Sequence, residues 1–247
     1  MASPPSAPVP PEPPHATDAE EEYLQTLFWL FEAGLPMTAA NLSRAMRLSA
    51  PTVSEMVGRL ERDGYINRDS DRSISFTASG RADAERIVSR HRMIERFLTD
   101  EVGVPWDEVH EEAEHLEHAM TPRFEAYVRS SVGDALTCPH GHPIRVGERV
   151  DGVPLADCAI GAQVTVLRLE NEAEDILHYL KRSGIAPGLS GEITAKDDTE
   201  ITVAGPDGPA SLTISVAETV SVTAHPSPPQ RIALPEQLVL GQGRYGR

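Results

Sequence analysis

The stretch from Thr38 to Thr77 leaves the chain few ways to fold. Thr38 precedes a short apolar-periodic run through Met46, with Leu42 and Ala45 inward, and Ser49 precedes a second run from Ala50 to Arg62. Both are residue types that accept from the open amides of a helix start, and Pro51 falls in a first turn, where a missing donor costs nothing. Val53, Met56, Val57 and Leu60 recur at helical spacing, and Asp63-Gly64 closes the run. Tyr65 to Thr77 then reads as two short strands around the turn Asp69-Ser70-Asp71-Arg72. A helix from Glu20 to Ala33, apolar at Tyr23, Leu24, Leu27, Phe28, Leu30 and Phe31 and closed by Gly34, precedes the set. Helix, short helix, tight turn, helix and two-stranded ribbon make a winged helix-turn-helix over 18–79. A small helical bundle without a nucleic-acid role is the alternative. In the first reading Ser49, Pro51, Thr52, Ser54 and Glu55 face a DNA groove, while Arg59, Arg62, Arg68 and Arg72 reach phosphates.

Charge narrows the partner. The chain carries 22 basic and 38 acidic residues, a net of -16, which excludes a wholly basic nucleic-acid coat. Residues 23–80, however, carry six of each sign and stand apart from acidic neighbours, so an anionic partner docks there or nowhere. Two cysteines, Cys138 and Cys158, make no disulfide framework. The N-terminus has neither the basic region nor the apolar run of a signal peptide, and no apolar stretch approaches a membrane span. The expectation is a cytoplasmic, soluble protein with no membrane role.

Residues 1–17 hold seven prolines and read as a disordered tail. After the ribbon, Ser79-Gly80 opens a long helix to about Val102, a second runs from near Trp106 to Met120, and a third follows Thr121-Pro122 to about Val132. These define a helical domain at 80–143, followed by a Pro- and Gly-punctuated linker at 144–160. Short strands at 162–169, 191–196, 199–204, 210–215 and 219–224, with one helix at 171–183, suggest a small SH3-like β-barrel over 161–225. A second tail occupies 226–247. The fold class expected is α+β, mainly α.

The chemistry-bearing residues are unevenly placed. His110, Glu114, Glu117 and His118 share one helical face, and His91 and Glu95 stand at i and i+4 on the preceding helix. Two carboxylates and two imidazoles on one face suit a divalent cation; a solvated acidic face is the alternative, and His115, off that face, reads as surface. Cys138, His140 and His142 lack a second ligand pair at finger spacing and read as a structural turn. No phosphate-binding glycine loop and no Ser-His-Asp constellation is present, so an enzyme is not expected.

The run APTVSEMVGRLERDGYI with SDRSISFTASGR, then HRMIERFLTDEVGVPWDEVHEEAEHLEHAM and CPHGHPI, resembles the DtxR/MntR family of iron- and manganese-dependent transcriptional repressors over about residues 18–225. The resemblance implies a primary metal site on Glu22, Glu114, Glu117 and His118. It also implies an ancillary site on His91, Glu95 and His110, with Glu172 and Asp175 supplied from the SH3-like domain through the motif ENEAED. Two sites per chain, a homodimer on a double-stranded palindromic operator, and two dimers per operator as the larger assembly are what such a protein would show. Iron-type members carry Met where Glu22 stands and Cys where Glu114 stands; carboxylates at both positions harden the site and point to Mn2+, with Fe2+ as the alternative. Gln25 replaces a Glu frequent in two-metal manganese regulators, which weighs against a close binuclear centre. A winged-helix regulator of a small organic ligand, and a metal buffer or metallohydrolase, are the competing classes.

Overall fold

Thr17 opens the ordered architecture with a reciprocal cap, its backbone N–H and hydroxyl both donating to Glu20 Oε2 at 2.8 Å. The structure, a computed structural model, describes residues 16–225. The tail expected at 226–247, and all of that at 1–17 except Ala16 and Thr17, lie outside the described residues. Order begins slightly earlier than the sequence suggests, because Ala16 packs on the first core and Thr17 is the cap.

The chain divides into two compact units, one formed by residues up to 150 with 168–182, the other by 151–167 with the chain from 183 onward. In the first, α1 (Asp18–Glu32), α2 (Ala39–Ala45) and α3 (Ala50–Arg62) lead into a two-stranded ribbon, β1 (Ile66–Arg68) and β2 (Ile74–Phe76). Thr38 caps α2 by accepting from Asn41 N, and Ser49 caps α3 by accepting from Thr52 N at 3.3 Å. The stripe expected of α3 is buried at Val53, Val57 and Leu60, with Met56 half-buried. It closes on Leu24, Leu27, Phe28, Leu42, Tyr65 and Ile66 in one core. The ribbon pairs Ile66 with Phe76 and Arg68 with Ile74 in antiparallel register, and its turn is held by Ser73 N donating to Asp71 Oδ1 at 2.9 Å. This is the winged helix-turn-helix that the cap and stripe pattern implies.

α4 (Ala78–Phe97) is the shared spine of this unit. It ends earlier than expected, giving way to one π-type turn over Leu98–Val102 that Gly103 terminates with φ 84°. α5 is Val109–Glu117, shorter at both ends than the 106–120 run, and α6 is Pro122–Val132. Ile94, Leu98, Val109 and Ala113 bury between α4 and α5, and Met93, Val128 and Ile144 between α4 and α6. The helix expected at 171–183 is α7 (Glu174–Arg182), burying Leu177 and Leu180. It belongs to the first unit rather than to the sheet, a departure from the 161–225 boundary.

The second unit is built on a six-stranded sheet in the order β3-β8-β4-β5-β6-β7, with the last two residues of β4 counted in the first unit. The strands are β3 (Val153–Pro154), β4 (Gln163–Leu169), β5 (Ser190–Lys196), β6 (Glu200–Gly205), β7 (Gly208–Thr213) and β8 (Val220–His225). β3 was hidden in the stretch read as linker, because a two-residue strand ending in proline has no period to detect. The last residues of the expected 210–215 strand instead start the short α8 (Ile214–Ala217).

Gly80, in the first turn of α4, faces the backbone of the wing. A Cβ there would stand 1.8 Å from Tyr65 O, so Gly80→Ala should cost about 2 kcal/mol through forced separation of helix and ribbon. Denaturant unfolding checks this; a wild-type midpoint would show that the ribbon yields freely.

Candidate metal centre

α4 and α5 cross so that the i, i+4 pair of one meets the polar face of the other. His91 and Glu95 are fully withdrawn from solvent, at 1% and 0% exposure. His91 Nε2 lies 3.1 Å from Glu95 Oε1 and 3.2 Å from His110 Nδ1, while His91 Nδ1 donates to Glu117 Oε2 at 3.0 Å. His110 Nδ1 is 3.1 Å from Glu95 Oε1 and 3.0 Å from Glu172 Oε2, and its Nε2 is 3.3 Å from Glu114 Oε1. Donor atoms of His91, Glu95, His110 and Glu172 all lie within 4.8 Å of one another. Glu172 comes from the turn before α7, where Asn171 Oδ1 accepts from Ala173 N. Asp175, expected beside it, is exposed in the first turn of α7 and is not in this group; once the helix starts, its side chain turns to solvent.

The Cys138–His142 segment is the tight turn the sequence suggests, closed by Cys138 N donating to His142 O at 2.8 Å and by Gly141 at φ 91°. It is more than a turn. His140 Nδ1 is 3.3 Å from Glu95 Oε1, His142 Nε2 is 3.2 Å from Glu172 Oε1, and Glu95, Cys138 and His140 form a second close group. Both histidines are buried. The available signal was their spacing of two, which sends alternate side chains of an extended turn to one side.

Burial alone would drive these groups neutral, but mutual attraction overrides it. Desolvation pulls His91 down, yet Glu95 and Glu117 hold it up at about 9. His110 and His140 are likewise held well above the usual imidazole range, against burial, by the carboxylates around them. Burial and Glu95 push Glu172 up, but His140 and His110 hold it at about 2. His142 is lowered by burial, and burial with Glu95 lifts the Cys138 thiol to about 11. The cluster therefore keeps protons where a cation would sit. Glu95 Oε2 and His140 Nδ1 are buried without a hydrogen bond of good geometry. Convergent imidazoles and carboxylates with such spare donor capacity fit a divalent metal of borderline-to-hard character.

A second set borders a cleft of about 550 Å³ between α1 and α5, lined by Glu22, Gln25, Thr26, Trp29, Glu114, His115, Glu117 and His118. All four residues expected of the primary site meet there, although their donor atoms are not all within 4.8 Å of one another. Glu22 is exposed, as is Glu114, and the donors that close on His118 are Glu117 Oε1 at 3.4 Å and Glu21 Oε2 at 3.5 Å. Among the described residues, buried Gln25 Nε2 has no hydrogen-bond partner, and His118 Nδ1 has only long contacts without hydrogen-bond geometry, that to Glu21 among them. His115 is exposed, as expected, yet borders the cleft. Glu117 touches both sets: one oxygen takes His91, the other faces His118.

On the winged helix, Ser49, Pro51, Thr52 and Ser54 are exposed at the start of α3. Arg62 and Arg72 are exposed, and neither makes an ion pair among the described residues; Arg72 sits in the wing turn at φ 69°. Arg59 is engaged by Glu20 at 2.9 Å and Asp63 at 3.6 Å, and Arg68 is paired with Glu61. Arg47, exposed in the turn between α2 and α3, is a further cation on this side that helical periodicity does not single out.

Two family models match the chain. "Iron dependent repressor, N-terminal DNA binding domain" covers residues 15–74, and "Iron dependent repressor, metal binding and dimerisation domain" covers 77–145. Among relatives, the diphtheria toxin repressor of Corynebacterium jeikeium is 39% identical over 138 residues, 56% of this chain and 58% of the relative. The iron-dependent repressor IdeR of Mycobacterium tuberculosis is 32% identical over 205 residues, 76% of this chain and 89% of the relative. A solved manganese-dependent transcriptional repressor in complex with manganese superposes with TM-score 0.76 at 30% identity, over 83% of this chain and all of the other. The crystal structure of T. acidophilum IdeR gives 0.71 at 27% identity, over 85% and 99%.

The proton-filled cluster makes the metal-free fold sensitive to pH in both directions. His91, raised from 6.5 to about 9, contributes stability that is complete below about pH 6.5 and lost as pH climbs to about 9. Glu172, lowered from 4.5 to about 2, contributes stability present above about pH 4.5 and lost as pH falls to about 2. Thermal unfolding in chelator should peak between these limits, and Glu95→Gln should flatten the alkaline limb. A maximum at alkaline pH would contradict the protonated cluster.

Proposed function

The chain belongs to the DtxR/MntR family of metal-dependent transcriptional repressors, DNA-binding regulators rather than enzymes, and from that premise we propose a Mn2+-activated repressor of metal-uptake genes. It acts in the cytoplasm as a homodimer on a palindromic operator, with two dimers per operator as the larger assembly. Each chain holds two metal ions, one at the Glu22, Glu114, Glu117 and His118 cleft and one at the buried cluster of α4, α5 and Glu172.

The observation that carries this reading is the position of Glu22. It lies on α1, whose core is shared with the helix-turn-helix, while Glu114, Glu117 and His118 end α5 in the helical domain. A bound cation supplies the positive charge that lets these acidic groups approach. Glu22 then ties the reading head to the dimerisation helices, and the dimer's two heads take one separation, matched to half-sites one helical turn apart. Because Glu117 also holds His91, occupation of the buried cluster fixes the orientation of one cleft ligand. Metal and DNA favour the same arrangement, so each strengthens binding of the other. The iron-dependent relatives favour Fe2+ as activator; the carboxylates at positions 22 and 114 favour Mn2+, the harder ion.

Anaerobic operator titrations with Mn2+, Fe2+, Co2+ and Zn2+ test the reading. Operator retention should require metal and respond to Mn2+ at its physiological range; retention unaffected by chelator would overturn the sensor role. Glu22→Met with Glu114→Cys should shift the response toward Fe2+, and an unchanged preference for Mn2+ would show that donor softness does not set selectivity.

Arg62→Ala and Arg72→Ala should each weaken binding on all sequences alike and reduce the salt slope by about one unit, as lost phosphate contacts do. Arg59→Ala should change the slope less, since its guanidinium is already taken by Glu20 and Asp63. Altered sequence preference in Arg62→Ala would show that it reads a base edge.

A further inference from the structure

Glu172 is the one member of the buried cluster that is remote in sequence from the helices and loop supplying the others, and it is held from both sides. Upstream, Leu169 N donates to His140 O at 3.0 Å, and His142 Nε2 lies 2.9 Å from Leu169 O. Arg149 and Arg168 both donate to Glu170 Oε1, at 2.8 and 3.2 Å. Downstream the chain turns directly into α7, so the position of that helix decides where the Glu172 carboxylate points. α7 buries Leu177 and Leu180, while His178 and Lys181, three apart and hence on one face, both reach Asp107.

Asp107 is only 4% exposed, and a carboxylate that deep needs a partner. Lys181 Nζ donates to its Oδ1, and His178 Nε2 is 3.6 Å from Oδ2. Asp107, Glu108 and His178 have the spacing of a metal group, but the ammonium of Lys181 already occupies the charge position on Asp107. Asp107 also sits in the loop that builds the cluster from the other side. Trp106 O accepts from His140 Nε2 at 2.7 Å, and His110 lies three residues onward at the start of α5.

We propose that Asp107 is a positioning residue for the buried cluster: by anchoring α7 through Lys181 and His178 it delivers Glu172 to His110 and His140. The proposal rests on the cluster being a metal site, and it assigns the ligand-bearing segment to a standing part of the helical domain. Glu172 is in place before an ion arrives, so the cost of ordering it is met by the Asp107–Lys181 pair.

The test uses the full-length chain in Asp107→Asn, Lys181→Met and Lys181→Arg forms, with Asp107→Asn removing the buried charge that Lys181→Met would leave without its ammonium and Lys181→Arg keeping the pair. Backbone exchange across residues 174–182, read without metal, should quicken in the first two variants and stay as wild type in Lys181→Arg. Mn2+ affinity at the cluster should fall about ten-fold in the same two variants, a size typical of lost outer-shell support, while the Glu22 cleft keeps its affinity. The Mn2+ electron paramagnetic resonance signal of the cluster should broaden with them and recover in Lys181→Arg. Wild-type exchange in α7, wild-type affinity at the cluster, or equal weakening of both sites would overturn the proposal. Mn2+ uptake equal to wild type in a Glu95→Gln chain would instead overturn the metal-site reading on which it rests.

Discussion

The rest of the first unit depends on the compensation of buried charge between α4 and α5. His91, Glu95, Glu117 and His140 are each almost wholly withdrawn from water, a placement that costs several kcal/mol per unpaired ion. None is tolerable alone. Together with His110 and Glu172 they form a linked network of imidazoles and carboxylates, and the elements bearing them are therefore fixed relative to one another: α4 by His91 and Glu95, α5 by His110 and Glu117, the 138–142 turn by His140, the approach to α7 by Glu172. Buried ion pairs are in general no more stabilising than apolar packing of the same volume. What the polar core adds is a set of positions that a cation can take over from protons.

The same economy of charge ties α1 to this spine. Glu21, buried beside exposed Glu22, pairs with Arg90 at 2.7 Å and Arg86 at 3.0 Å on α4, and Glu32 at the far end of α1 pairs with Arg92. These pairs hold the body of α1 against α4 independently of Glu22. Under the proposed function, a metal at Glu22 would therefore act on the N-terminal turn of α1 and the cleft it borders, not on the body of the helix. Glu117 stands where the two acidic sets meet, with one oxygen on each, so neither set can be rearranged without notice at the other.

On the DNA-facing side the division of labour among arginines is settled by carboxylates placed next to them. Arg59 and Arg68 are paired within the motif by Glu20, Asp63 and Glu61, whereas Arg62 and Arg72 are exposed and make no ion pair among the described residues, which is what the proposed phosphate contacts require. A count of basic residues would have treated all four alike.

Local signals made the winged helix-turn-helix legible: Thr38, Ser49 and Pro51 mark helix starts, and Val53, Val57 and Leu60 mark the buried stripe, each acting within a turn or two of chain. The His91–Glu95 pair and the His110 face were legible for the same reason, because helical periodicity alone places them. Family likeness added Glu22 and Glu172, which no local period connects to the rest. Only the tertiary structure decided that His140 and His142 enter the cluster, that Asp175 stays in solvent, and that the chain from the last residues of β4 through α7 groups with the helices. Those outcomes turn on which side of a turn meets a buried carboxylate tens of residues away. Sequence spacing fixes a residue's face on its own element; what that face meets is set by how the elements pack.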